Sequence, residues 1–286
     1  MKNFRFIAAL VAATMMISCG GNSTKVQMGN KSKLDTLSYA VGANVAAGVK
    51  YQMRDIPFDV EAIVEGLEEA AFSKASLDHT EAIELLRDYF MTKRGERTRE
   101  IQKKRAEADS ARLAQGDSTK VEYPVADEAM FESEQEREEL SYAFGVDLGT
   151  NLTQSPMPLQ IYWVAQGLQE GMAGVPQMDD IQVNNHLRTF FMETLPAQNA
   201  EASAEWLKKI EKKSGVKKTE SGLMYKVVKA GDETVKATDD ADVVKVHYTG
   251  RTREGKVFDT SIFANRPKEQ REMILAQNPN AGDEDQ

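Results

Sequence analysis

Leu37-Ser38-Tyr39-Ala40-Val41-Gly42 returns as Leu140-Ser141-Tyr142-Ala143-Phe144-Gly145, an offset of 103. Two further blocks follow in the same order. Glu65-Gly66-Leu67-Glu68-Glu69 returns as Gln166-Gly167-Leu168-Gln169-Glu170, and Leu86-Arg87-Asp88-Tyr89-Phe90 as Leu187-Arg188-Thr189-Phe190-Phe191, both at an offset of 101. So constant an offset identifies a duplicated unit of about 60 residues. The unit reads as helices. Leu37, Val41 and Val45 fall at i, i+4 and i+8 with Ala40 and Ala43 beside them, which makes one apolar stripe. Gly42, Ala46, Ala47 and Gly48 are small enough for another helix to come close.

Working outward, Asp59 is a helix cap before Ala62-Ile63, Gly66-Leu67 and Ala70-Ala71, and Ile83, Leu86 and Phe90 share a face in the third helix. Residues 96–115 alternate Glu, Lys and Arg with almost no apolar side chain. They are expected to form a solvated helix stitched by i,i+4 pairs. Basic residues at 93–105 are interleaved with Glu96 and Glu100 and with no aromatic, so a solvated face explains them better than a nucleic-acid surface. Tyr89, Phe90, Phe190 and Phe191 recur at matched positions, which favours core packing over a peptide-binding stripe. Pro196 is expected to end or kink the third helix of the second copy.

Composition narrows the function without naming it. At 286 residues the chain has room for about two domains. Its net charge of −9 argues against an electrostatic nucleic-acid binder. One cysteine, Cys19, excludes an internal disulfide and a cysteine-cluster zinc site, and three scattered histidines offer little to a metal. No cofactor is implied.

After Gly215 the rhythm changes. Leu223, Tyr225 and Val227 alternate with polar residues, as do Val244, Val246 and Tyr248, and Arg253-Glu254-Gly255-Lys256 makes a hairpin turn before Val257-Phe258. Ser221-Gly222-Leu223-Met224-Tyr225-Lys226-Val227, Val246-His247-Tyr248-Thr249-Gly250 and Gly255-Lys256-Val257-Phe258-Asp259-Thr260-Ser261 resemble the opening of an FKBP-type peptidyl-prolyl isomerase, in family order and spacing. The repeats resemble the helical module that precedes this domain in exported bacterial members, which dimerise through their helices and assist folding. The resemblance implies prolyl cis-trans isomerase (rotamase) activity on proline-containing unfolded or nascent exported polypeptides. It also implies that Tyr248 and Phe258 wall a pocket for the prolyl ring, with Asp259 at its rim. Such chemistry needs no nucleophile, metal or base. The barrier is rotation about a partly double C–N bond, about 18–20 kcal/mol. The twisted transition state is less polar than the planar imide, so a dry aromatic pocket favours it. His247 falls on the opposite strand face from Tyr248, and Asp239, Asp240 and Asp242 read as an acidic turn rather than a calcium loop.

At the other end Lys2 and Arg5 precede an apolar run over 6–17, too short to span a bilayer and arranged like an export signal. Met16-Ile17-Ser18-Cys19 resembles a bacterial lipobox, which makes Cys19 the lipidation site; a plain secretory signal with a chance cysteine is the alternative. Cleavage before Cys19 removes two positive charges, so attachment to a membrane rests on the acyl chains rather than on the protein surface.

The expected fold class is α+β, a duplicated helical module followed by a partial antiparallel sheet domain. Residues 1–18 are the signal, 19–33 a lipidated flexible tether, 34–115 the first helical repeat and 116–136 a linker. The second repeat is 137–195, with a connecting helix at 196–216 and the partial isomerase-like domain at 217–286. A family domain also carries a helix whose tryptophan floors the pocket, a later loop tyrosine and closing strands, none of which is found in 262–286. A fragment of a longer coding sequence, with 264–286 as a flap-like insertion, is expected; a short protein with a decayed domain is the alternative. The resulting expectation is a lipid-anchored isomerase of the cell envelope, facing the periplasm, that is a homodimer or an intramolecular pseudo-dimer through its repeats. The rival reading is a non-catalytic helical chaperone or partner-binding lipoprotein.

Overall fold

The computed structural model describes residues 26–155, 157–232, 234, 237–239 and 241–281, so the signal, the lipobox and Cys19 lie outside the described residues. Among the described residues, α1 (Thr36–Gln52) begins at Asp35, whose carboxylate accepts the Ser38 N–H. Asp59 opens α2 (Val60–Ala71) by accepting from Glu61 and Ala62, and Asp78 and Glu81 form a reciprocal box at the head of α3 (His79–Asp88). A π turn, Tyr89–Lys93, joins α3 to the long α4 (Arg94–Ala114). The second unit repeats the plan. Ser133 caps α5 (Glu134–Thr153), α6 (Ile161–Ala173) ends at Gly174 in the left-handed region, and Asp179 with Gln182 boxes α7 (Asp180–Thr189). A second π turn, Phe190–Thr194, stands 101 residues after the first. No described helix is long and apolar enough to cross a membrane.

The two repeats do not fold as separate bundles. α1 packs against α6 and α2 against α5, so each repeat is completed by helices of the other. The repeated blocks are the two halves of this exchange. Ser38, fully buried, accepts the Gln160 N–H at 2.8 Å, and Ser141, equally buried, accepts the Asp59 N–H at 2.9 Å. Tyr39 donates to Glu170 at 2.7 Å and accepts from the Gln177 N–H; Tyr142 donates to Glu69 at 2.5 Å and accepts from the Ser76 N–H. A Cβ on Gly42 would run into Val164 O, and one on Gly145 into Ile63 O; on the facing helices Gly167 meets Tyr39 O and Gly66 meets Tyr142 O. The backbones touch there because nothing larger than hydrogen fits.

Tyr89 and Phe190 are buried while their neighbours Phe90 and Phe191 are half-buried, each pair edge-to-face at 5.3 Å. The inward face of α3 is Ala82, fully buried against Ala143 and Val146, with Leu86 packed beside it. Ile83, Leu86 and Phe90, expected to share one face, are all half-buried. Tyr89 falls seven residues after Ala82, on the Ala82–Leu86 face by ordinary helical spacing, and the π turn that starts there inserts an extra residue that rotates α4 relative to α3. Tyr89 stacks on Phe131 at 5.6 Å, and Phe58 stacks on Phe144 at the same distance.

Helix α4 is as polar as expected, with Ile101 its one buried apolar residue, but i,i+4 pairing is the lesser part of what holds it. Arg94 forks onto Asp55 at 2.7 and 3.2 Å. Arg97 grips Glu136 and Met130 O, and Arg105 reaches Asp127 at 2.7 Å. Burial would raise the Glu136 carboxyl, yet the Arg97 guanidinium holds it below its ordinary range.

A second compact unit begins at Thr194. It holds α8 (Leu195–Glu211), β1 (Lys217–Lys218), β2 (Met224–Tyr225), β3 (Thr249–Arg251), β4 (Val257–Thr260) and α9 (Lys268–Gln277). Pro196 falls in the first turn of α8, directly after the π turn that interrupts the helical run from Asp180. β1 pairs antiparallel with β2, and β3 with β4, as two separate two-stranded ladders. The strands are shorter than the alternation suggests. Val244 and Val246 are extended in pattern but exposed and outside any described ladder, because alternation marks a face while a strand needs a neighbour to pair with.

Candidate functional site

The three residues proposed for the pocket, Tyr248, Phe258 and Asp259, come together on the β3–β4 hairpin. Gly255 makes the turn at φ 90°, closed by the Gly255 N–H to Thr252 O and the Thr252 N–H to Lys256 O. Going back from the turn, Arg251 faces Val257, Gly250 faces Asp259 and Thr249 faces Thr260. Phe258 is therefore the extra residue of a β-bulge. Side chains alternate along a regular strand, so without the bulge Phe258 and Asp259 would point to opposite faces. With it, the Phe258 ring lies over Gly250, where an added Cβ would meet the ring Cζ at 2.7 Å.

Tyr248 continues the same face. Its carbonyl accepts the Ser261 N–H at 3.0 Å and its own N–H donates to Ser261 Oγ at 2.9 Å, which sets it one diagonal step from Asp259. The Tyr248 hydroxyl donates to Asp259 Oδ2 at 2.7 Å. This hydrogen bond, with the carboxylate charge behind it, raises the phenol above its ordinary pKa. On the other face Thr249 and Thr260 share a hydroxyl contact at 2.9 Å, and Asn265 donates to Thr249 at 3.0 Å. Thr260 is buried and its hydroxyl also donates to Tyr248 O.

The result is an aromatic pair with a carboxylate tied to one of its members. Phe258 is 64% exposed and Tyr248 49%, so the apolar surface is presented rather than enclosed by the described residues. Such a surface can take an apolar ring and offers a polar rim in the Asp259 carboxylate. Sequence reasoning passed over Gly250, the platform of the ring, and Thr260, which braces the strand pair from behind. A glycine within a strand pattern is itself a sign of a bulge or close approach, and Gly250 carried that sign.

Residues 34–120 and 137–227 match the family described as the domain amino terminal to FKBP-type peptidyl-prolyl isomerase. Together these spans cover more than half of the chain. The chain belongs to the FKBP-type peptidyl-prolyl isomerase family. Two separate matches to this N-terminal domain agree with the duplication in the sequence and with the interlocked helices. The FKBP N-terminal match stops at 227, before the hairpin that carries Tyr248 and Asp259. The outer membrane protein MIP of Legionella longbeachae is 31% identical over 147 residues, 46% of this chain and 60% of that one. The FKBP-type peptidyl-prolyl cis-trans isomerase FkpA of Aeromonas hydrophila is 31% identical over 178 residues, 56% of this chain and 63% of that one. A probable FKBP-type isomerase of Haemophilus influenzae is 44% identical over 78 residues, 27% of this chain and 31% of its own. The chain thus spans about six-tenths of the first two relatives. No solved structure matches it.

Proposed function

We propose that this protein is a peptidyl-prolyl cis-trans isomerase that assists the folding of exported proteins, with Tyr248 and Phe258 flanking the prolyl ring and Asp259 at the rim. The observation that carries the reading is the bulge that turns Phe258 and Asp259 to the face of Tyr248, with the phenol bound to the carboxylate. Names of relatives agree, since several are FKBP-type isomerases. The chain's own contribution is desolvation and shape: an imide pressed against an aromatic ring loses water, and the twisted form loses less by this than the planar one. The test is cis-to-trans conversion of a proline tetrapeptide by the full-length gene product. Phe258→Ala should slow it roughly ten- to a hundredfold, the equivalent of one buried aromatic side chain. Absence of acceleration by the wild type would leave the non-catalytic binding module as the better reading.

The same proposal puts the protein in the cell envelope, anchored by lipid on Cys19 and facing the periplasm. The lipobox-like Met16-Ile17-Ser18-Cys19 supports this, as does a relative named an outer membrane protein. A palmitate analogue should label the wild type and not Cys19→Ala; equal labelling of both would rule the anchor out.

A further inference from the structure

The hairpin that carries the candidate site is held by something other than its own strands. Arg253, at the tip of the β3–β4 turn, reaches across to α8. Its Nη1 donates to Asn199 O and to Ser203 Oγ, both at 3.1 Å, and its Nη2 donates to Asn199 Oδ1 at 3.4 Å. The neighbouring Glu254 carboxylate takes the Nε edge. Asn199 and Ser203 stand four residues apart, one above the other on a single helix face, which is the spacing a planar guanidinium can bridge. The Arg253 side chain is only 17% exposed, so the contact is packed rather than a passing surface pair. From that anchored turn the two strands run out to Gly250, Phe258, Asp259 and Tyr248.

We propose that Arg253 is a positioning residue, a latch that fixes the orientation of the Tyr248–Phe258–Asp259 hairpin on the connecting helix. Its bonds to Asn199 and Ser203 run to the helix rather than to the aromatic surface. It decides which way that surface faces relative to α8, and the substrate it serves is the proline-containing chain of the proposed function, on which this inference rests. The division of labour follows from the bonds. Tyr248 to Asp259, Tyr248 to Ser261 and Thr249 to Thr260 all lie within the hairpin, whereas the Arg253 fork leaves it. Cutting the fork should therefore release the hairpin without dismantling it.

The experiment measures a distance and a local signature together. Protein lacking residues 1–19 has no cysteine, so Lys208→Cys on exposed α8 and Arg251→Cys at the end of β3 take spin labels cleanly. Pulsed dipolar spectroscopy should give one narrow distance with Arg253 present. Arg253→Ala should lose that narrow peak to a broad distribution while the Tyr248 phenol carbon, assigned by Tyr248→Phe, keeps its hydrogen-bonded shift. Arg253→Lys keeps the charge and lacks the fork, and should broaden as well; a lysine that restores the narrow peak overturns the fork. Should Arg253→Ala also lose the phenol signal, Asn199→Ala with Ser203→Ala decides, since it removes side-chain acceptors from the helix and leaves the hairpin untouched. Broadening there supports the latch, and an unchanged narrow peak in either variant overturns it. None of these readings requires isomerase activity, so failure of the latch and failure of the proposed function are distinguishable.

Discussion

Tyr39 shows how one side chain joins the two repeats. Its ring is fully buried, its hydroxyl donates to Glu170 and accepts from Gln177, and burial together with the Glu170 carboxylate pushes the phenol up to about 12. Tyr142 does the same against Glu69 and Ser76, raised by burial and then by its carboxylate partner. An unfolded tyrosine ionises near pH 10. The folded chain holds Tyr39 protonated to higher pH, so its contribution is intact below pH 10 and is lost as the pH rises through about 12. Urea unfolding followed against pH should show stability falling over that interval. Tyr39→Phe should lower stability at neutral pH by about 1–3 kcal/mol, since the Gln177 N–H loses its acceptor and the Glu170 carboxylate loses one of its donors, keeping the Gln177 side-chain amide. The variant should also flatten the alkaline slope; parallel slopes for variant and wild type would show that Tyr39 does not carry it.

At the scale of the element, the decisive fact is that α1 crosses α6, and α2 crosses α5, at glycines. Gly145→Ala would drive a methyl into Ile63 O and Leu67 N, both backbone, so the helices must part rather than adjust. Chemical denaturation should show a loss of about 3 kcal/mol or more. Gly95 on α4 has nothing within 4 Å of a new Cβ, and Gly95→Ala should stabilise by about 0.5–1 kcal/mol through helix propensity alone. Equal effects at the two sites would refute the crossing. These elements were legible to different degrees, for physical reasons. The Asp59 cap of α2 and the apolar character of α1 were plain, because they act locally; the Asp35 and Asp78 caps and the inward face of α3 at Ala82 were not. The partner of each stripe was not, because periodicity gives a face and never says what covers it. The arginines of α4 looked like a solvated run, since a salt bridge to Asp55 or Glu136 leaves no trace in local spacing. In the hairpin, Tyr248, Phe258 and Asp259 were found through a resemblance, while the bulge that unites them follows from strand register and lies beyond any local pattern.

At the scale of the molecule, the duplication allows two ways to satisfy the same surfaces. One repeat can pair with the other repeat of its own chain, or with that of a second chain. The described arrangement pairs them within the chain, and the linker is built to keep them there. Arg105 binds Asp127 and Pro124 O and lies over the Tyr123 ring at 4.9 Å, and Tyr123 returns a hydrogen bond to Asp109. Arg112 holds Asp117 and Thr119 O. The chain thus doubles back along α4 before entering α5. A short tether gives an effective concentration in the millimolar range, which pairing between chains must exceed. Light scattering on protein lacking residues 1–19 should therefore report the mass of one chain from about 1 µM to about 100 µM, well below that range. Arg105→Ala with Arg112→Ala frees the linker, and that variant should form an exchanged dimer on concentration, with helical content unchanged by circular dichroism. A wild-type dimer that survives dilution would overturn the assignment, because the helix surfaces that meet within one chain would then have been met by another.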